Sequence, residues 1–156
     1  MKSVGEVMAL GRTFPEAFGK ALRSLETGRG GWTAATAVVM PRDEALRVPR
    51  PERVHAVLDA LRSGASVDFL HGVTGIDPWF LDRFREVVAL EADVKAAGAE
   101  AVATPALLRR AKRAGFSDED LARLTGRSVP EARKARLSAG VVPVFSRVDT
   151  CAAEFE

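Results

Sequence analysis

Glu91, His55, His71 and Cys151 are the side chains of this sequence whose types could carry chemistry. Glu91 falls on the apolar stripe of a predicted helix, where desolvation disfavours the charged form of a carboxyl group and so favours a general acid. More often a carboxylate in such a place is held by an arginine or by backbone amides, and arginine is abundant in this chain. We therefore predict that Glu91 is structural, at least half buried, and in contact with an arginine or with backbone amides.

The histidines and the cysteine lack the companions that catalysis or metal binding requires. His55 and His71 have no carboxylate or serine at a recognised catalytic spacing, and they are too far apart to form a metal-ligand motif. Cys151 is the only cysteine, so no internal disulfide can form. The glycine-rich run at residues 28–31 lacks the Gly-Lys-Ser/Thr ending of a phosphate-binding loop. We predict no catalytic, cofactor-binding or metal-binding residues in this sequence.

Residues 117–137 resemble a helix-turn-helix pair, with a glycine turn between two helices and basic side chains on the second. Those side chains are Arg133, Lys134 and Arg136, and residues 105–137 hold nine lysines or arginines against four acidic residues. Such a helix could lie in the major groove of DNA. Capped helix pairs are also common packing units, and the net charge of the chain is only +2. A DNA-binding regulator is therefore the alternative function, and we expect no nucleic-acid partner.

Composition places the chain among ordinary globular domains. Its 156 residues, 47% of them hydrophobic, suffice for one core and do not require two domains. No apolar run is long enough to cross a bilayer, and residues 1–3 lack the apolar core of a signal peptide, so we expect a cytoplasmic protein without a membrane partner. The absence of Asn and Gln and the many charged residues are compatible with a thermophilic source, although a GC-rich genome also favours Ala, Arg, Gly and Val.

The longest predicted helix begins at Asp77-Pro78 and runs to about Gly98. Asp77 can accept hydrogen bonds from the free backbone amides of a helix start, and Pro78 fits the first helical position. The apolar positions then recur at helical spacing, which predicts one buried stripe interrupted by Glu91. The predicted stripe comprises Phe80, Phe84, Val87 and Val94, with Leu81 and Val88 beside it. Because this stripe must be covered, other helices have to pack on it.

Cap and stop signals place further helices on both sides of the long one. Capping boxes are predicted for Thr13 with Glu16, Ser117 with Asp120, and Ser128 with Glu131, and Thr104-Pro105 is a further cap. Residues 30–50 show no clear period and are predicted as mostly loop. Helices are expected from 13 to 26, 51 to 62, 66 to 70, 78 to 98, 105 to 115, and from about 118 and 129 onward, with an extended exit at 142–145. The pattern predicts an all-α fold, an irregular helical domain of about six to seven helices with extended N- and C-terminal segments.

Three blocks of the sequence resemble the large chain of carbamoyl-phosphate synthase at the end of its first ATP-grasp half. The blocks are MKSVGEVMALGRTF at residues 1–14 with ALRSLE at 21–26, IDPWFL at 76–81, and RVDTCAAEF at 147–155. Each block is short, but together they cover both ends and the middle of the chain in the order of the family. In that family this region is the helical segment between the two ATP-using halves, called the oligomerisation domain.

The resemblance implies a division of the chain. Residues 1–12 would be the tail of the preceding ATP-grasp (carboxyphosphate) unit, and residues 13–146 the helical oligomerisation domain. Residues 147–156 would begin the segment that leads to the second ATP-grasp unit. The resemblance also implies the partners of the segment, which are the flanking ATP-grasp domains, other large chains in a homo-oligomer, and the small glutaminase chain in the full complex.

The function of the family is implied in the same way. The parent enzyme is a glutamine-hydrolysing ligase that makes carbamoyl phosphate from bicarbonate, glutamine-derived ammonia and ATP, for arginine and pyrimidine synthesis. ATP and Mg²⁺ or Mn²⁺ are implied as cofactors of the parent enzyme, with none in this segment. Since the sequence has no grasp-type nucleotide loop, we expect the segment to connect the catalytic halves rather than to catalyse.

Overall fold

The computed structural model describes residues 6–25, 31–34 and 42–146, and all regular structure within these ranges is helical. The elements are α1 (Phe14–Ser24), α2 (Arg42–Arg47), α3 (Arg53–Arg62), α4 (Val67–Thr74), α5 (Pro78–Ala97), a 3₁₀ helix (Gly98–Val102), α6 (Pro105–Arg113), α7 (Asp118–Thr125) and α8 (Val129–Ser138). The predicted all-α fold is confirmed. The described residues form eight α-helices and one 3₁₀ helix, which is more than the six to seven expected.

α5 is the central helix, in contact with α1, α3, α4, α6 and α7. Its predicted start is confirmed, because the Asp77 carboxylate accepts from the Trp79 amide at 2.8 Å and Pro78 opens the first turn. Its buried positions recur at the expected spacing, and they are Leu81, Phe84, Val87, Leu90 and Val94. The prediction that Phe80 belongs to this stripe is wrong, because the stripe follows Leu81 and Leu90 and leaves Phe80 41% exposed.

α2 lies within residues 30–50, which were predicted as mostly loop, and no helix was predicted at 42–47. It has only six residues, too few to show a helical period, yet it buries Ala45 and Leu46 and contacts α3 and α4. Acidic residues in its first turn and Arg47 in its last complement the helix dipole. A short helix of this kind is stabilised by tertiary packing rather than by its own propensity.

Serine caps start three of the helices as predicted. Ser66 accepts a hydrogen bond from the Phe69 amide at 3.1 Å, although α4 continues past the predicted end at residue 70. Ser117 and Ser128 both form complete capping boxes, each with the carboxylate three residues further on. These caps are encoded in four consecutive residues, which is why the sequence predicts them correctly.

Two threonine caps differ from their predictions. Thr13 accepts from the Glu16 amide at 3.3 Å, but the Glu16 carboxylate accepts from the Arg12 amide at 2.9 Å instead of closing a box with Thr13. Thr104 makes no side-chain cap for α6, because its hydroxyl donates backward to the Glu100 carbonyl at 3.0 Å.

One buried apolar cluster joins the helices. Its largest fully buried side chains are Trp32, Phe116, Leu46, Leu58, Leu70, Leu81, Leu108 and Leu121. They come from the six helices α2 to α7 and from the loops after α1 and before α7, so removing any of these six helices would open the core. No helix within the described ranges combines the length and the apolar character needed to cross a bilayer.

Candidate connecting surface

Glu91 lies between α5 and α3, where it forms an ion pair with Arg62. The Arg62 guanidinium donates through Nη2 to Glu91 Oε2 at 2.7 Å and through Nε to Oε1 at 3.0 Å, and the Glu91 side chain is only 14% exposed. The prediction that Glu91 is at least half buried and contacts an arginine is therefore confirmed. A paired carboxylate in this position stabilises the packing of α3 on α5, since an unpaired one would carry a large desolvation cost.

Arg62 also reaches beyond this pair. Its Nη1 donates to Asp59 Oδ1 at 2.6 Å and its Nη2 to the Trp32 carbonyl at 2.8 Å. Burial lowers the pKa of Arg62, but the hydrogen bonds and charges of Glu91 and Asp59 outweigh that effect and leave its pKa raised. One guanidinium thus fixes α3, α5 and the segment at residues 31–34 to one another.

The remaining candidate residues are not brought together. His55 is buried within α3, and the ring of His71 is exposed with Nδ1 2.8 Å from the Ile76 carbonyl. Cys151 and residues 28–30 lie outside the described residues. No group of three or more His, Cys, Asp or Glu side chains suited to a metal ion occurs in the part of the chain that the structure describes.

The helix pair α7–α8 is fixed by a charged cluster around Asp118. Arg136 donates through Nε and Nη2 to the two Asp118 oxygens at 2.9 and 3.0 Å, and Lys112 donates to Oδ1 at 3.1 Å. Burial alone would raise the pKa of Asp118. The hydrogen bonds and charges of Arg136 and Lys112 lower it by more, so its pKa lies below the ordinary value. Burial also lowers the pKa of Lys112, which its bond to Asp118 only partly offsets.

This cluster gives the second helix of the pair a packing role. Arg136, one of the three basic residues that favoured DNA binding, is 8% exposed, and its Nη1 donates to the Val141 carbonyl at 2.8 Å. Because Arg136 is buried and each of its three guanidinium nitrogens donates to another group of the protein, its side chain is not placed to contact a base edge. Arg133 and Lys134 are exposed, but two surface cations beside a buried third do not make a groove-reading helix.

Asp120 connects α7 to the segment that precedes α2 along the chain. Its Oδ2 accepts from the Ser117 amide at 2.8 Å, and its Oδ1 accepts from the Thr33 amide at 3.0 Å and the Thr33 hydroxyl at 2.6 Å. The side chain is fully buried. Gly31 lies against it with φ +89°, and a Cβ there would stand 2.4 Å from Asp120 Oδ2, so only glycine fits.

An aromatic cluster joins the first turns of α1 and α5. Phe14 stands within 5.3 to 5.6 Å, centroid to centroid, of the rings of Trp79, Phe80 and Phe84. Phe84 is buried, but Trp79 is 52% exposed and Phe80 41%. The cluster therefore runs from the core to the surface, and its outer rings belong to the IDPWFL block.

The described ends of the chain also expose apolar side chains. Met8 and Leu10, in the segment before α1, are 85% and 49% exposed. Val144 and Phe145, in the segment after α8, are 81% and 99% exposed. Large apolar side chains exposed in this way are available for contacts with another unit.

Sequence reasoning missed Arg62, Thr33 and Arg136 as partners of the buried carboxylates. Each partner is 18 to 87 residues away along the chain from the carboxylate it contacts. The sequence shows an arginine in the last turn of α3 and arginines on α8, but many other arginines were equally suitable, by position, as partners of a buried carboxylate. The four-residue cap of Asp120 was predictable, whereas its contact with Thr33 had no local signal.

Comparison with known proteins identifies the family. Residues 6–140 match the family model for the carbamoyl-phosphate synthetase large chain, oligomerisation domain. The chain belongs to the carbamoyl-phosphate synthase large-chain family. It corresponds to the oligomerisation domain of that family, and nothing in the comparisons favours the DNA-binding alternative.

Similar large chains occur in bacteria and plants. The carbamoyl phosphate synthase large chain of Nostoc sp. is 46% identical over 100% of this chain and 14% of its own length. That of Gemmatimonas aurantiaca is 48% identical over 99% of this chain and 15% of its own. The arginine-specific, chloroplastic large chain of Arabidopsis thaliana is 45% identical over 100% and 14%. The chain thus spans only about a seventh of the length of these relatives.

Proposed function

We propose that this domain connects two ATP-using units of a carbamoyl-phosphate synthase large chain and provides a surface through which large chains associate. The match of residues 6–140 to the oligomerisation domain carries the proposal. Residues 1–12 would belong to the tail of the preceding ATP-grasp unit, and residues 147–156 would lead to the second. The exposed apolar residues on the described ends of the chain support contacts with those units.

The geometry suits a connector that must keep a fixed shape. Buried ion pairs hold α3 to α5 through Arg62 and Glu91, and α6 and α8 to α7 through Asp118. Paired buried charges favour one packing arrangement over its alternatives, because any other arrangement leaves a charge without its partner. A rigid helical body would hold two flanking units at a constant separation.

The activity of the complete chain follows from the relatives rather than from this domain. The parent enzyme would make carbamoyl phosphate from bicarbonate, glutamine-derived ammonia and ATP, with Mg²⁺ or Mn²⁺ bound in the flanking units and a small glutaminase chain as partner. Arginine and pyrimidine synthesis would use the product, and the enzyme would act in the cytoplasm. A thermophilic source stays a prediction from composition.

Sedimentation velocity tests the association. The complete large chain, measured at several concentrations, should show a sedimentation coefficient that rises with concentration. An excess of folded residues 1–156 should then compete and lower it, whereas the same segment added in denatured form should have no effect. A complete chain that stays monomeric at every concentration, or an association that the folded segment leaves unchanged, would contradict a role of this domain in association.

A further inference from the structure

Trp79, Phe80 and Arg83 form an aromatic patch on the first two turns of α5. The Trp79 and Phe80 rings meet edge to face with centroids 5.0 Å apart, and the Arg83 guanidinium lies 5.7 Å from the centroid of the Trp79 ring. Trp79 is 52% exposed and Phe80 41%, which leaves on the order of 200 Å² of aromatic surface in contact with water. Tryptophan and arginine are the residues that most often dominate the energy of an interface.

Contacts with Phe14 and the cap at Asp77 hold the aromatic patch in place. Phe14 contacts Trp79 at 5.6 Å and Phe80 at 5.3 Å, while Asp77 caps the turn that carries both rings. Because these contacts fix the rings before any partner arrives, covering them would cost little side-chain entropy. Phe14 is also the first residue of α1, separated from the segment at 6–12 only by Thr13. The patch therefore lies at the place where the chain arrives from whatever precedes it.

We infer that the aromatic patch is the docking site of the unit that precedes this domain in the complete large chain. The inference rests on the proposed function, since it takes residues 1–12 as the tail of that unit. The chain spans 14 to 15% of the length of its relatives, so most of the complete large chain lies outside the structure.

Tethering decides between the preceding unit and a second copy of this chain. A unit joined through a few residues has an effective concentration in the millimolar range near its attachment point, on the order expected for short linkers. A second copy reaches such a concentration only in very concentrated solution. The tethered unit therefore occupies a patch beside its own attachment point first, and association between large chains uses other surface.

The chemistry of the patch defines what must face it. The indole N–H of Trp79 and the guanidinium of Arg83 both donate and neither accepts, and Arg83 already pairs with Glu86 at 2.9 Å. Once covered, the indole N–H needs an acceptor to avoid a buried unsatisfied donor. The facing surface of the preceding unit thus combines apolar side chains with a carbonyl or carboxylate oxygen opposite Trp79.

Hydroxyl-radical footprinting of the complete large chain, with each residue read by mass spectrometry, tests this inference without any substitution. Trp32 is the matched control, because it has the same chemistry and is fully buried. We expect Trp79 to be oxidised within about two-fold of the rate of Trp32, although its side chain is half exposed in the domain alone. Phe69, 51% exposed on α4, serves as the reference for an exposed phenylalanine, and Phe80 should react more slowly than it.

Two outcomes would overturn the inference. Trp79 oxidised much faster than Trp32 at every protein concentration would show that nothing covers the patch. Protection that is lost on dilution, in step with dissociation seen by sedimentation, would assign the patch to a second copy. In the first case association of the large chains could still be observed by sedimentation, so failure of the docking inference is distinguishable from failure of the proposed function.

Discussion

Glu91 and Asp120 are both buried carboxylates, but the protein neutralises them differently. Glu91 faces the Arg62 guanidinium across a helix–helix contact and keeps 14% of its side chain exposed. Asp120 is fully buried, and its close contacts are the amides and hydroxyls of Ser117 and Thr33, with the Arg123 guanidinium more distant at 3.8 Å. Glu91 is balanced by an opposite charge, whereas Asp120 is stabilised mainly by neutral hydrogen-bond donors from the start of α7 and from the segment at 31–34.

The difference predicts how each site responds to change. When a carboxylate surrounded by fixed neutral donors is removed, several of those donors lose their acceptor. At Asp120 two of the donors belong to Thr33, so the loop at 31–34 would be displaced as well. A charge pair can instead be replaced as a unit by apolar side chains of similar volume at little cost. We therefore expect Asp120 to be the less replaceable of the two.

Asp120→Ala has the largest expected effect. It removes the acceptor for four donors, the amide and hydroxyl of both Thr33 and Ser117, and should lower the free energy of unfolding by about 4 kcal/mol. Urea denaturation followed by circular dichroism measures the loss. Glu119→Ala, at the exposed neighbouring position, is the control and should stay within about 0.5 kcal/mol of the parent protein. A comparable loss in both variants would show that the α7 start is sensitive as a whole.

Arg62→Met should cost about 3 kcal/mol, because it leaves Glu91 buried without its partner. Adding Glu91→Met should recover most of this loss, and no such recovery is expected at Asp120. Arg85→Met is the control, since Arg85 makes a 2.8 Å pair with Asp82 but is 64% exposed, and should cost less than about 1 kcal/mol. If the double variant is no more stable than Arg62→Met, Glu91 and Arg62 do not act as a replaceable pair.

Asp118 shows a third arrangement, in which two cations share one carboxylate, and its contribution to stability can be measured at low pH. Its pKa is below the ordinary value of 3.8 in the folded protein, so folding is favoured above that value and the gain is lost as pH falls toward the folded pKa. Asp118→Asn should therefore flatten the loss of stability between about pH 5 and about pH 2. Unfolding free energies measured across that range check this, with Glu119→Gln as control. An unchanged acid slope in Asp118→Asn would assign the acid sensitivity to other carboxylates.

The same three carboxylates show which parts of the site are predictable. The capping role of Asp120 is contained in Ser117-Asp118-Glu119-Asp120, because a capping box needs only its two ends. Partial burial of Glu91 and its need for an arginine follow from its place on a helical stripe. The identity of that arginine does not follow, since it depends on how α3 crosses α5, which local spacing leaves undetermined.

The same distinction between local signals and long-range packing separates the helices that were predicted from the helix that was missed. The helices with caps and a regular period, such as α5 and α8, were predicted with their starts, whereas α2 was missed because packing rather than pattern stabilises it. Phe80 was assigned to the core because it lies four residues before Phe84, on the stripe whose later members Phe84, Val87 and Val94 are buried as predicted. Helical spacing does not show that the first turn of α5 leaves Trp79 and Phe80 partly exposed, so the aromatic patch could not be predicted from the sequence alone.

The smallest expected loss of stability compares a cap at the surface, Ser128, with a buried cap, Ser117. Ser128 forms its box with Glu131 at the surface, so Ser128→Ala should cost about 1 kcal/mol, measured by urea denaturation. Thr104→Ala is the matched control and should cost much less, because the Thr104 hydroxyl bonds to the Glu100 carbonyl and caps nothing. Ser117→Ala should cost more than either, since its hydroxyl also donates to the buried Asp120 at 2.9 Å. Equal losses for Ser117 and Ser128 would mean that the buried carboxylate adds nothing to the cap.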